Sequence, residues 1–200
     1  MSSNNSLPNS PCDALLSSVA HFKLESAISF LSPSLRYVRE KREDIDIPSF
    51  LGELRDFYEE RLTKNSIKMT IVCVTSEHFA VHVNRGKLTQ IIDNLVLNSE
   101  YWLKEDLAQK RISAGCVTFE VDRPFVRVWD NGRGIDPSVE HALFEPFISA
   151  KAHGQGRGLG LFIIKQLLDS EGCSVGVIPE KNRYHRFFKF QIDLRGAING

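Results

Sequence analysis

The sequence predicts an α/β fold of the α+β kind, a two-layer sandwich with a mixed sheet, on three observations. Apolar residues recur at helical spacing in separate stretches, and short β-branched or aromatic runs lie between them in pairs. The order of these stretches is helix, strands, helix, two strands, a glycine-rich loop, helix, two strands, which does not alternate as a parallel fold would. The 200 residues, 42% hydrophobic, suffice for one substantial core.

Residues 1–12, rich in Ser, Asn and Pro, are expected to be a disordered leader. Residues 13–46 read as a helical segment interrupted at Ser32-Pro33, with Leu15, Leu16, Val19, Phe22, Ile28, Leu31, Leu35 and Val38 on its apolar positions. The main domain spans 47–194, and 195–200 is a tail. Its first helix is placed after an N-cap at Ser49 and runs to about Lys64. Lys68 to Thr75 and Ala80 to Val83 read as strands, and Arg85-Gly86 as a break. Lys87 to Leu103 forms the strongest helix, with Leu88, Ile91, Ile92, Leu95, Ser99, Trp102 and Leu103 on one face. Cys116 to Val121 and Pro124 to Trp129 pair as strands. An irregular stretch from Asp136 to Arg157 precedes a helix from Leu159 to Ser170, and Cys173 to Ile178 pairs with Arg186 to Leu194 as a hairpin.

Composition narrows the function classes. The 25 basic and 25 acidic side chains cancel, so no global field draws in nucleic acid or an anionic membrane. Lys181, Arg183, His185 and Arg186 read as a solvated turn, and nucleic acid is disfavoured as a partner. The chain has no long apolar run and no signal-like start, which predicts a cytoplasmic protein without a membrane segment. Cys12, Cys73, Cys116 and Cys173 are too far apart for a zinc motif and read as reduced thiols. His78 and His82 lie in extended chain, which places them poorly for a shared metal.

Chemistry concentrates in three places. Asn94 and Asn98 sit four residues apart on the strongest helix, where two mediocre helix formers in one turn need a reason. An amide oxygen suits Mg²⁺, which takes few protein ligands and completes its shell with water and phosphates; a solvated helix face is the plainer alternative. Asp130 ends a strand on the side of Val126 and Val128, where a carboxylate needs a donor such as the amino group of adenine; a turn aspartate capping Asn131-Gly132 is the alternative. Gly154, Gly156, Gly158 and Gly160 precede an apolar helix whose free N–H groups favour phosphate. The run lacks the Lys-Ser/Thr ending of a Walker A loop. Lys151 and Arg157 are the cations of the preceding loop, placed to meet phosphate or solvent.

Together, in this order, these elements resemble the Bergerat-fold ATP-binding domain shared by DNA gyrase B subunits, MutL, MORC ATPases and sensor histidine kinases. Leu88 to Ser99 is similar to the N box, Asp130 to Ile135 to the first glycine box, Phe144-Glu145-Pro146-Phe147 to the F box, and Gly156 to Leu161 to the second glycine box. The resemblance implies a mixed sheet, three main helices and an ATP lid from Asp136 to Arg157. It implies ATP and Mg²⁺ as cofactors, Asn98 as metal ligand with Asn94 assisting, and Asp130 for adenine. It also implies Gly132, Gly134 and Ile135 at the base, and Phe147, Lys151, Gly156, Arg157, Gly158, Leu159 and Gly160 around the rest of the nucleotide.

Within the superfamily the motifs are closest to the catalytic domain of sensor histidine kinases. The resemblance places a glutamate base for water at position 94 in the hydrolase branches, and here that residue is Asn94. Asp93 is turned about 100° around the helix and makes a poor replacement. The expected activity is therefore transfer of the γ-phosphate to a histidine outside this chain, with Asn94 and Lys151 as the catalytic residues. The expected partners are a phosphoacceptor histidine domain or response protein in cis or trans, with a homodimer left open. His21 lacks the acceptor context. Asn98-Ser99-Glu100-Tyr101-Trp102 departs from the Asn-Ala opening of sensor kinases, which keeps an ATPase or a nucleotide-gated dimerisation switch as the alternative.

Overall fold

Period-two burial builds the centre of the sheet: Gly115, Val117, Phe119 and Val121 of strand β4 (Gly115–Asp122) are buried, and the residues between them are half-exposed. The structure, a computed structural model, describes residues 41–74, 78–151 and 156–198. The expected leader, the helical segment up to residue 40 with His21, and Gly154 lie outside the described residues.

β4 pairs antiparallel with β5 (Phe125–Asp130) and parallel with β2 (Ile67–Cys73). A hairpin of β6 (Ser174–Val177) and β7 (Lys189–Asp193) joins the far side of β5, giving the order β2-β4-β5-β7-β6. Helix α1 (Ile47–Thr63) packs on β2, α2 (Arg85–Ala108) on β4 and β5, and α3 (Gly160–Ser170) on α2 and β6. On β4 and β5, Glu120 and Asp122 pair with Arg127 from strand positions that alternate with the buried ones. This is the expected two-layer mixed sandwich.

Three boundaries differ from the sequence expectation. Residues 42–46, expected to close a helical segment, form strand β1 (Arg42–Asp46), paired antiparallel with β3 (Ala80–Asn84). Ile45 and Val81 face each other in that pair and are both buried, so pairing overrides the helical propensity of the charged run. α1 is capped by Asp46 and not by Ser49: Asp46 Oδ2 accepts the Ser49 N–H at 3.1 Å and the Ser49 hydroxyl at 2.6 Å. α2 begins two residues early, capped by Asn84, which accepts the Lys87 N–H at 3.0 Å, and runs on to Ala108. Gly86 does not break it, since first-turn N–H groups take no part in the helical ladder.

Candidate functional site

α2 carries the site because its polar residues sit inside an otherwise buried stripe. Leu88, Ile91, Ile92, Leu95, Val96 and Leu103 bury against the sheet, and Asn94, Asn98 and Ser99 lie along the margin. Asn94 Nδ2 donates back to the Gln90 carbonyl at 2.9 Å, which satisfies the amide nitrogen within the helix. Its Oδ1 lies 3.3 Å from where a Cβ on Gly160 would stand. Asn98 Oδ1 accepts from the Lys151 ammonium at 2.9 Å. That ammonium also lies 4.5 Å from the centre of the Tyr101 ring, and burial lowers its pKa. The N box, the end of the lid and the start of α3 thus meet at one point.

The second glycine box meets the F box by backbone. Gly158 has φ +65°, and a Cβ there would stand 2.5 Å from the Phe147 carbonyl carbon and 2.6 Å from the Ile148 nitrogen. The Phe147 N–H donates to the Gly158 carbonyl at 2.9 Å, so the F box lies directly across the second glycine box. Gly156 sits over Lys151, with a Cβ position 2.8 Å from Lys151 Cδ. α3 then starts at Gly160 with no side-chain cap from Leu159, leaving first-turn N–H donors unclaimed by a capping side chain. Arg157 is solvent-exposed.

The other half of the site ends β5. Asp130 Oδ1 accepts the Gly132 N–H at 3.0 Å, so the turn-capping alternative describes one of its bonds. Burial pushes its carboxyl up to about 6, opposed by the Gly132 N–H and the Ser99 hydroxyl and reinforced by the nearby Asp106 charge. Gly134 has φ +81°, and a Cβ there would stand 2.7 Å from Asn182 Nδ2. The Ile135 N–H donates to the Phe187 carbonyl at 2.7 Å, seating this box against the β6–β7 connection.

The structure therefore gathers Asn94, Asn98, Lys151, Phe147, Gly156, Gly158, Leu159 and Gly160 where the lid meets α2 and the start of α3, and Asp130, Gly132, Gly134 and Ile135 at the end of β5. Asp93 stands apart: its carboxylate accepts the Tyr58 hydroxyl of α1 at 2.8 Å. Sequence reasoning missed Asp106, Arg133 and Asn182 and counted Ser99 as part of the apolar face. Asp106 is fully buried and accepts the Arg133 N–H and Nε, each at 2.7 Å, and Arg111 Nη1 at 3.0 Å. Its signal was spacing, seven residues beyond Ser99 on the same stripe, past the expected helix end. Asn182, in a polar turn, carried no signal.

Among the described residues no three His, Cys, Asp or Glu side chains could hold a metal ion, and none of the helices is long and apolar enough to cross a membrane. The donor set at Asn94 and Asn98 is two neutral amide oxygens, one already presented to a cation, which fits Mg²⁺ bound chiefly through phosphate.

Residues 83–196, which contain all four boxes, match the family described as histidine kinase-, DNA gyrase B-, and HSP90-like ATPase, and the chain belongs to it. The sensor histidine kinase ZraS of Salmonella typhimurium is 31% identical over 97 residues, 48% of this chain and 20% of that protein, so the chain spans a fifth of that relative's length. Full-length ShkA in complex with AMPPNP superposes with TM-score 0.60 at 22% identity, over 80% of this chain and 32% of that one. The catalytic domain of histidine kinase ThkA superposes with TM-score 0.56 at 24% identity, over 78% of this chain and 97% of that domain. The expected superfamily and the expected fold are both borne out.

Proposed function

We propose that this chain is the Mg-ATP-binding catalytic domain of a histidine-kinase-like protein, which transfers the γ-phosphate to a histidine outside the chain. The observation that carries the reading is the pair of neighbouring residues on α2, with Asn98 bonded to the lid lysine and Ser99 to the strand-end aspartate. One helix thereby touches the lid lysine and the strand-end carboxylate from adjacent positions. In this reading the Asp130 carboxylate accepts from the adenine amino group, and Gly132, Gly134 and Ile135 line the base. Gly156, Gly158, Leu159, Gly160 and the α3 N-terminus hold the phosphates, with Phe147, Lys151 and Arg157 over them. Asn98 ligates Mg²⁺ and Asn94 assists; bound Mg²⁺ supplies charge neutralisation between the phosphates.

The choice of transfer over hydrolysis rests on the absence of a base at the right place. The Asn94 amide cannot take a proton from water, and the Asp93 carboxylate is engaged by Tyr58 on the far side of the helix. Lys151 offers a cation to the γ-phosphate, whereas a histidine nucleophile needs little help. A phosphoacceptor domain or response protein, a homodimer and a cytoplasmic setting complete the proposal.

The test has two parts. In calorimetry the chain binds Mg-ATP, and Asp130→Asn weakens binding by roughly tenfold or more; unchanged affinity overturns the pocket assignment. With γ-labelled ATP, the polypeptide as it occurs in its cells acquires an acid-labile, base-stable label. Nucleotide-dependent dimerisation without label overturns phosphotransfer in favour of a switch.

A further inference from the structure

The peptide unit between Gly132 and Arg133 is gripped from both sides. Its N–H donates to Asp106 Oδ2 on α2 at 2.7 Å, and its carbonyl accepts from Asn182 Nδ2 in the β6–β7 connection at 3.3 Å. Both gripping side chains are themselves held in place. Asp106 is fully buried and is held in turn by Arg111 Nη1 at 3.0 Å and Arg133 Nε at 2.7 Å. The Arg133 guanidinium lies 5.0 Å from the Trp102 ring centre, one helical turn before Asp106. Asn182 Oδ1 accepts the Tyr184 N–H at 2.9 Å and the Arg186 N–H at 3.2 Å, which fixes the direction of its amide nitrogen.

Two peptide units separate the gripped one from Asp130. The next N–H back along the chain, that of Gly132, donates to Asp130 Oδ1 at 3.0 Å, so the orientation of the carboxylate follows the orientation of the turn. A Cβ on Gly132 would stand 3.0 Å from both Asp106 Oδ2 and Asp130 Oδ1, which shows how closely the two carboxylates flank this backbone.

We propose that Asp106 and Asn182 are positioning residues for purine discrimination, clamping the Gly132–Arg133 peptide so that the Asp130 carboxylate is held to accept from an exocyclic amino group. The inference rests on the assignment of Asp130 to the adenine. Adenine presents an amino donor at the position where guanine presents a carbonyl, and a fixed carboxylate attracts the first and repels the second. A carboxylate free to swing distinguishes them less. Preorganisation is therefore read in the ratio of affinities and not in either affinity alone.

The experiment measures Mg-ATP and Mg-GTP affinity, the latter by competition, for the wild-type chain and for Asn182→Ala, Asp106→Asn and Asp130→Asn. Asn182 is in a surface connection, so its variant is expected to keep the fold, checked by circular dichroism, even where Asp106→Asn does not. Loss of one clamp hydrogen bond is expected to shrink the ATP-to-GTP preference by roughly three- to tenfold. Hydrogen exchange at the Arg133 amide is expected to speed up in Asn182→Ala by a similar factor. If Asn182→Ala weakens both nucleotides equally, or neither, while Asp130→Asn abolishes the preference, the clamp is overturned and the adenine assignment stands. If Asp130→Asn itself leaves the preference intact, the assignment falls first.

Discussion

Asp130 places a liability in the fold at neutral pH. Its carboxyl is raised to about 6, so between the ordinary 3.8 and about 6 the folded chain holds a proton that the unfolded chain lacks. The stabilising contribution is complete below about 3.8 and is lost as pH rises through about 6. Asp130→Asn is therefore expected to stabilise the fold at pH 7 by on the order of 1–2 kcal/mol, read as a higher melting temperature, with the gain vanishing toward pH 4 in a pH-stepped melt. Nucleotide affinity runs the other way. Below about pH 6 the wild type loses its acceptor and is expected to lose affinity steadily, with a flatter profile for Asp130→Asn in the same calorimetric series. Asp130, which costs stability and to which the adenine contact is proposed, was legible from its place on the buried side of a strand. Ser99 was not, because a small hydroxyl inside an apolar stripe carries no signal until its acceptor is known.

At the scale of the elements, the lid is seated by backbone contact at Gly158 as well as by side chains, with Phe144 edge-on to Phe190 and Lys151 on Asn98 and Tyr101. Phe147 and Ile148 cross Gly158 at distances that leave no room for a methyl group, at a φ that side chains rarely adopt. Gly158→Ala is expected to cost about 1–2 kcal/mol in backbone conformation alone, before the clash is relieved. Hydrogen exchange should show residues 147–151 released while α1 and the sheet stay protected, with nucleotide affinity falling at least about tenfold. Unaltered exchange at 147–151 contradicts this seating. Apart from β1, expected as helix, the helices and strands themselves were legible to within about five residues, because periods of two and 3.6 report burial directly. Their ends were less so. Asp46 displaced Ser49 as cap, and Ile45 was drawn into a strand pair by Val81, a partner far away in sequence.

For the whole molecule, Glu171 ties the beginning and end of the domain together. Buried at the end of α3, it receives Lys87 of α2 at 2.6 Å and Arg42 of β1 at 3.1 Å. Glu171→Gln leaves two cations facing a neutral amide. It is expected to cost about 1–3 kcal/mol in denaturant unfolding, less than a fully buried pair would because both partners are partly exposed. ATP affinity of the folded fraction should be unchanged. The fold class and the four boxes were legible because each rests on local spacing, whereas the reach of Asp106 and Asn182 to the Gly132–Arg133 peptide spans 27 and 50 residues of sequence, which no local spacing reports. The placement of Asn98 and Ser99 has a mechanical consequence. They are neighbours on one helix, about 100° apart around its axis, and hold the lid lysine and the strand-end aspartate respectively. Any rotation of α2 about its axis would therefore move both contacts together, coupling the lid lysine to the strand-end carboxylate through one rigid element.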